Sequence, residues 1–223
     1  MDKSQFDRLN RRRAAIRIAS GALALLPILR EESRASTCSA VEQVEEDWTL
    51  VVGRPDTTNH APGVKMIMST QGDLLGYSAD YNINFHKQGN PDVFIPGGFG
   101  IDLCDPTKSS PINVSGTSGA LLNTQGETLS WTQRLQLSDG VLSFSLRNTS
   151  STTWGSVNGT VLTVSTNCPL DDLSAYDPTQ SVANSGPIWW RDRVTSLTLT
   201  QVRYYDGQKN LLSTDSTVRS AYP

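Results

Sequence analysis

Histidine, cysteine and glutamate are scarce in this chain, and each shortage removes a class of chemistry. Two histidines in 223 residues, His60 and His86, exclude a metal centre built from several imidazoles. Of the three cysteines, Cys38, Cys104 and Cys168, no two stand in C-x-x-C spacing, so neither a structural zinc site nor a thioredoxin-like motif is indicated. Cys104 and Cys168 are left able to pair in an oxidising compartment. After Asp47 the only glutamate is Glu127, which leaves few carboxylate pairs for acid–base catalysis. No apolar run reaches the roughly 18 residues of a membrane-spanning helix. What remains is ordinary for one globular domain: 37% hydrophobic residues and a net charge of -3, too apolar and too weakly charged for a disordered chain.

The charge is unevenly spread. Residues 1–35 hold eight basic and four acidic residues; of the 19 and 22 in the whole chain, 11 and 18 are left for residues 36–223, a net -7. Arg11-Arg12-Arg13 precedes an apolar stretch at 18–29, and Ser33-Arg34-Ala35 carries small residues at the -3 and -1 positions. A basic opening, an apolar middle and such a site are the parts of an export signal, here twin-arginine-like. Ala35-Ser36-Thr37-Cys38 lacks the apolar residue of a lipobox, so no lipid anchor is expected. The reading places the protein in the periplasm, the cell envelope or outside the cell. With the arginines gone, the remaining basic residues are scattered, which argues against nucleic acid and against anionic membrane surfaces as partners.

From residue 48 onward helical periodicity is almost absent and two-residue alternation dominates. Tyr77, Ala79, Tyr81, Ile83 and Phe85 alternate with Ser78, Asp80, Asn82, Asn84 and His86, predicting a strand with one dry and one wet face. Leu129, Trp131, Leu135 and Leu137 form an apolar row broken by Gln133. Leu142, Phe144 and Leu146 form another, and Ser138-Asp139-Gly140 between them predicts a hairpin turn. Leu197 and Leu199 are out of phase with Val202 and Tyr204, so a bulge is expected near Thr200-Gln201. Asp206-Gly207 predicts a further tight turn. Further strands are expected at 48–52, 64–68, 93–104 (interrupted by Pro96-Gly97-Gly98) and 160–165, with 36–47 as an acidic, solvated approach to the first of them.

Ten or so antiparallel strands without intervening helices require two packed sheets or a closed barrel. The expected fold is an all-β, antiparallel two-sheet sandwich of the jelly-roll type over residues 48–223. The stretch LSFSLRNTSSTTWG at 142–155 resembles the late strand, Asn-containing turn and Trp-Gly of concanavalin-A-like (laminin-G-like) jelly-roll sandwiches, the fold of secreted lectins and glucanases. The resemblance covers some 14 residues, implies the jelly roll, and transfers no functional residue.

The Glu-x-Asp-x-x-Glu pattern of the jelly-roll glucanases is absent, leaving Asp80, Asp102 and Asp105 as the material for an acid–base pair. Gly116-Thr117-Ser118-Gly119 echoes a chymotrypsin-like nucleophile loop, with His60 and Asp102 in the right order. The 58 residues from His60 to Ser118 are too few for that fold, and a Ser/Thr turn is the simpler reading. No catalytic residue is assigned. The wet face of the 78–86 strand is the sharpest binding candidate: Asp80, Asn82, Asn84 and His86 offer fixed donors and acceptors suited to sugar hydroxyls. Trp189 and Trp190 are adjacent and point to opposite sides in an extended segment, so one is a candidate aromatic platform. Asp171, Asp172 and Asp177 crowd one loop, and calcium, which needs six to eight oxygens, is the metal they suggest. The sequence therefore leads to an exported, non-catalytic glycan- or polysaccharide-binding module. A protein-interaction module and an Asp-based glycoside hydrolase are the alternatives.

Overall fold

In the computed structural model the described residues are 39–53, 62–84, 98–117, 122, 124–189 and 191–223, with the backbone alone described for Thr117, Ser156 and Trp189. Among the described residues, alternation of apolar and polar residues produces twelve strands: β1 Gln43–Val52, β2 Gly63–Ser69, β3 Ser78–Ile83, β4 Gly98–Cys104, β5 Ile112–Thr117, β6 Thr128–Ser138, β7 Val141–Ser151, β8 Leu162–Asn167, β9 Gly186–Trp189, β10 Val194–Tyr205, β11 Leu211–Asp215 and β12 Arg219–Tyr222. One short helix, α1 (Pro178–Ala183), starts at the N-cap Asp177 and carries Pro at its first turn. The strands form two sheets in which every pairing is antiparallel. The larger runs β11-β10-β1-β6-β7-β8, with β12 also on β10; the smaller runs β5-β4-β3-β2-β9. They pack face to face as a sandwich compatible with a jelly roll.

The core is the set of inward rows. Trp48 on β1 lies opposite Trp131 on β6, and both are buried. Leu142, Phe144 and Leu146 line the same interior from β7. From the smaller sheet Ala79, Tyr81 and Ile83 face them, as the alternation predicts. The 138–140 turn forms with Asp139 at φ 50° and Gly140 at φ 72°, closing a hairpin on the Ser138–Val141 pair. The bulge is also found: Asp47 pairs with Gln201 and Trp48 with Leu199, leaving Thr200 extra. Its hydroxyl donates to the Asp47 carbonyl at 2.9 Å. This one residue lets Leu199 and Val202 both reach the core.

Three expectations need correction. Residues 43–47 are not a solvated approach. They are the first half of β1, a central strand, and Glu45 and Glu46 are buried in it. A charge run usually marks a solvent face, but here Val44, Glu46, Trp48 and Leu50 share one inward phase of the strand. The strand expected at 78–86 ends at Ile83; Asn84 adopts φ 59° and turns its amide inward, donating to the Pro62 carbonyl at 2.7 Å. Gln133 does not break its row either, being fully buried beside Glu46.

Candidate functional site

Two polar places stand out among the described residues. The first is the outer face of the smaller sheet. Antiparallel register sets Asp80 on β3 directly opposite Asp102 on β4, and Asp102 opposite Asn113 on β5. Asn82 lies opposite Lys65 on β2. Lys65 Nζ is 3.3 Å from Asp80 Oδ2, and Asn82 Nδ2 donates to Asp102 Oδ2 at 3.1 Å. Partial burial raises the Asp102 carboxyl above its ordinary range, the Asp80 charge adds to this, and Lys65 opposes it. The two carboxylates lie side by side on one sheet face. They suit hydrogen bonding to hydroxyls.

The second place is a cavity of about 460 Å³ where the turn after β4 meets β8 and the start of β7. Asp105, Thr107, Lys108, Val141, Ser165, Thr166 and Asn167 line it. Asp105 is almost fully buried. Its Oδ1 accepts from the Thr107 N–H at 2.9 Å and the Thr107 hydroxyl at 2.7 Å; its Oδ2 accepts from the Thr166 hydroxyl at 2.7 Å. Lys108 Nζ is 3.4 Å from Asp105 Oδ2 and donates to Thr166 Oγ1 at 3.0 Å. The Thr107 hydroxyl bond, ahead of the other donors and against the effect of burial, holds the Asp105 carboxyl far below the usual range. One carboxylate and one ammonium make the lining neutral overall. The threonine hydroxyls spend their protons on Asp105 and Thr166 also accepts from Lys108, so the lining offers the remaining hydroxyl acceptor capacity and a third Lys108 N–H, and Val141 supplies an apolar wall.

The residues singled out from sequence scatter. Asp80 and Asn82 stay together on the outer face, where Asp102 and Lys65 join them, whereas Asn84 leaves it for the interior. His86 and Trp190 lie outside the described residues, as do His60 and Ser118; Trp189 is on β9, its backbone opposite Gly63. Asp171, Asp172 and Asp177 do not converge. Asp172 caps the Ser174 N–H at 2.8 Å and Asp177 caps α1 through Thr179 N–H at 2.8 Å, both local turn duties. Among the described residues no three His, Cys, Asp or Glu side chains are placed to hold a metal ion. Cys104 and Cys168 are both free. Cys104 is exposed beyond Asp102 on the outer face while Cys168 is buried in the core, so the sheet itself separates them.

Sequence reading missed the outer face of the larger sheet. There Glu45 binds Arg134 and Arg203 at 2.6 and 3.0 Å, and Arg203 also binds Asp47. The signal was available: Glu45 and Asp47 alternate with the apolar row of β1. Its charges satisfy one another, which makes it a structural lattice rather than an open site. No family model and no curated protein matches the chain.

Proposed function

We propose that the chain is an exported, non-catalytic binding module that takes a neutral, hydroxyl-rich ligand, a glycan or polysaccharide of the cell envelope. The cavity beside Asp105 carries this reading. Its volume falls within the range of small-molecule sites, roughly 300–1,000 Å³. Its lining pairs donors and acceptors around an apolar patch with no net charge, which favours sugar hydroxyls over phosphates or carboxylates. The Asp80–Asn82–Asp102 strip offers a second row of acceptors on the sheet face. A concanavalin-A-like identity for the sandwich accords with this reading.

The test is binding of the full chain to neutral polysaccharides and to polyuronates, followed by titration calorimetry with Lys108→Met. Retention on a neutral polymer, with affinity lowered about tenfold in the variant, supports the reading. Release of soluble sugar would return the hydrolase alternative, and silence across the panel would end the glycan reading. A protein partner is favoured by a separate observation: the edge strand β11 exposes Leu211 and Leu212 at 55% and 39%.

A further inference from the structure

A carboxylic acid sits in the middle of the sandwich. Glu46 is 0% exposed, on a central strand, facing inward. Trp48 Nε1 donates to its Oε2 at 2.9 Å, and the Gln133 amide, turned so that it also accepts from Trp131 Nε1 at 3.1 Å, donates to the same oxygen at 3.2 Å. The Tyr176 hydroxyl bonds Oε1 and lies 3.5 Å from Ser181 Oγ. Two of these groups, Tyr176 and Ser181, belong to the segment 168–185, which crosses the edge of the sandwich as a loop and α1. Elsewhere, among the described residues, the Cys168 N–H donates to the Gly140 carbonyl at 2.8 Å, and Leu173 and Tyr176 are buried in the core. Leu173 N–H donates to the Val41 carbonyl at 2.7 Å, and Ser185 Oγ accepts the Ile67 amide at 3.1 Å.

The surroundings are poor in positive charge. Tyr81 from β3 and Tyr204 from β10 face Glu46 with neutral phenols; β6 contributes Gln133 and Trp131, β1 Trp48, and α1 Ser181. Among the described residues the cation acting on it is Arg219 of β12, which is engaged with Asp215 at 2.6 Å. In the protonated form the carboxyl can donate to Tyr176 Oη, with the tyrosine proton turned to Ser181 Oγ. Ionisation removes one proton from this chain and leaves a full charge where water has no access.

We infer that Glu46 is a proton-operated clasp: its protonation holds the 168–185 segment against the sandwich, and its ionisation favours local opening of that segment, which would let water reach the carboxylate. Burial, against the bonds from Tyr176, Trp48 and Ser181, pushes its pKa up to about 6. Set against the ordinary 4.5, this bounds the effect at about 30-fold in the opening equilibrium, one factor of ten per unit. Opening therefore grows as pH rises through about 6 and is least below 4.5.

The experiment is hydrogen exchange on the full chain between pH 5 and 7.5, expressed as protection factors so that the intrinsic rate drops out. Protection of the Leu173, Tyr176, Asn184 and Ser185 amides is expected to fall by about 8-fold over this range, the part of the 30-fold bound that lies above pH 5, while amides of the β2–β3–β4 ladder hold. In Glu46→Gln the fall should vanish. Tyr176→Phe, which keeps the ring and removes a donor to the carboxylate, should move the midpoint to higher pH. Equal pH dependence in wild type and Glu46→Gln would overturn the inference. So would a uniform loss across all strands, or an unmoved midpoint in Tyr176→Phe if the glutamine variant does not fold.

Discussion

Replacing Glu45 by alanine is expected to destabilise the sandwich by about 2–3 kcal/mol, because it strands two arginines over a sheet face that offers them little water. The Glu45 side chain is 9% exposed, against 23% and 21% for Arg134 and Arg203. Arg134 reaches Oε1 through Nε at 2.8 Å and Nη2 at 2.6 Å; Arg203 reaches Oε2 at 3.3 and 3.0 Å, and Tyr205 adds a bond at 3.2 Å. Breaking a fully buried pair costs about 3–5 kcal/mol. The partial exposure of the guanidinium groups, and the hold Asp47 keeps on Arg203 at 2.9 Å, reduce that figure. With a urea m-value near 2 kcal/mol/M, the midpoint should drop by about 1–1.5 M. Arg134→Met in the Glu45→Ala background should recover part of the loss by removing an uncompensated cation. Burial would raise the Glu45 carboxyl, but the bonds and charge of the two arginines outweigh it and hold it below 4.5. Its contribution is thus present above that pH and fades in acid, so the variants should converge with wild type as pH falls. A neutral-pH loss under about 0.5 kcal/mol, or additive single and double variants, would refute the idea that these charges are desolvated.

Asp105→Asn should be less stable than wild type at neutral pH, with the difference shrinking below pH 3.8 as the depressed Asp105 carboxyl of the wild type takes up its proton; parallel stability–pH curves would contradict this. Trp154 is buried and stacks on Phe99 at 5.2 Å, so Trp154→Ala should remove about 3–5 kcal/mol in thermal unfolding, and a loss under 1 kcal/mol would mean the site collapses around the void. At Gly140, φ is +72° and an added Cβ would meet only the Cys168 carbonyl at 3.9 Å. Gly140→Ala should therefore cost about 1–2 kcal/mol of backbone strain in denaturant unfolding, and a much larger loss would point to a clash instead.

Where the chain alternates cleanly, as at 77–83 and 141–147, side-chain phase alone settles strand and face, since the β repeat is two residues and a buried face tolerates no slip. The Thr200 bulge was legible for the same reason: a change of phase inside one apolar run has few other causes. Residues 43–47 were not legible in this way. Three acids in a row look like a solvent-facing run until a neighbouring strand brings Arg134 from 89 positions away to Glu45, and the fold brings Tyr176 from 130 positions away to Glu46. The candidate site divides similarly. Asp80 and Asn82 share a face by local periodicity, but that Asp102 and Lys65 stand beside them depends on which strands pair.

The amino-acid sequence by itself determined strand content, the sandwich class, the 138–140 turn and the bulge, because each leaves its mark in side-chain periodicity or turn residues that can be read over a few positions. Only the tertiary structure decided that Asp105, Lys108, Thr166 and Asn167 line one open pocket, that Cys104 and Cys168 lie on opposite sides of a sheet, and that a glutamate is buried among Trp48, Gln133 and Tyr176. Those outcomes depend on strand order and long-range register, and burial is a property of what the rest of the chain places around a residue.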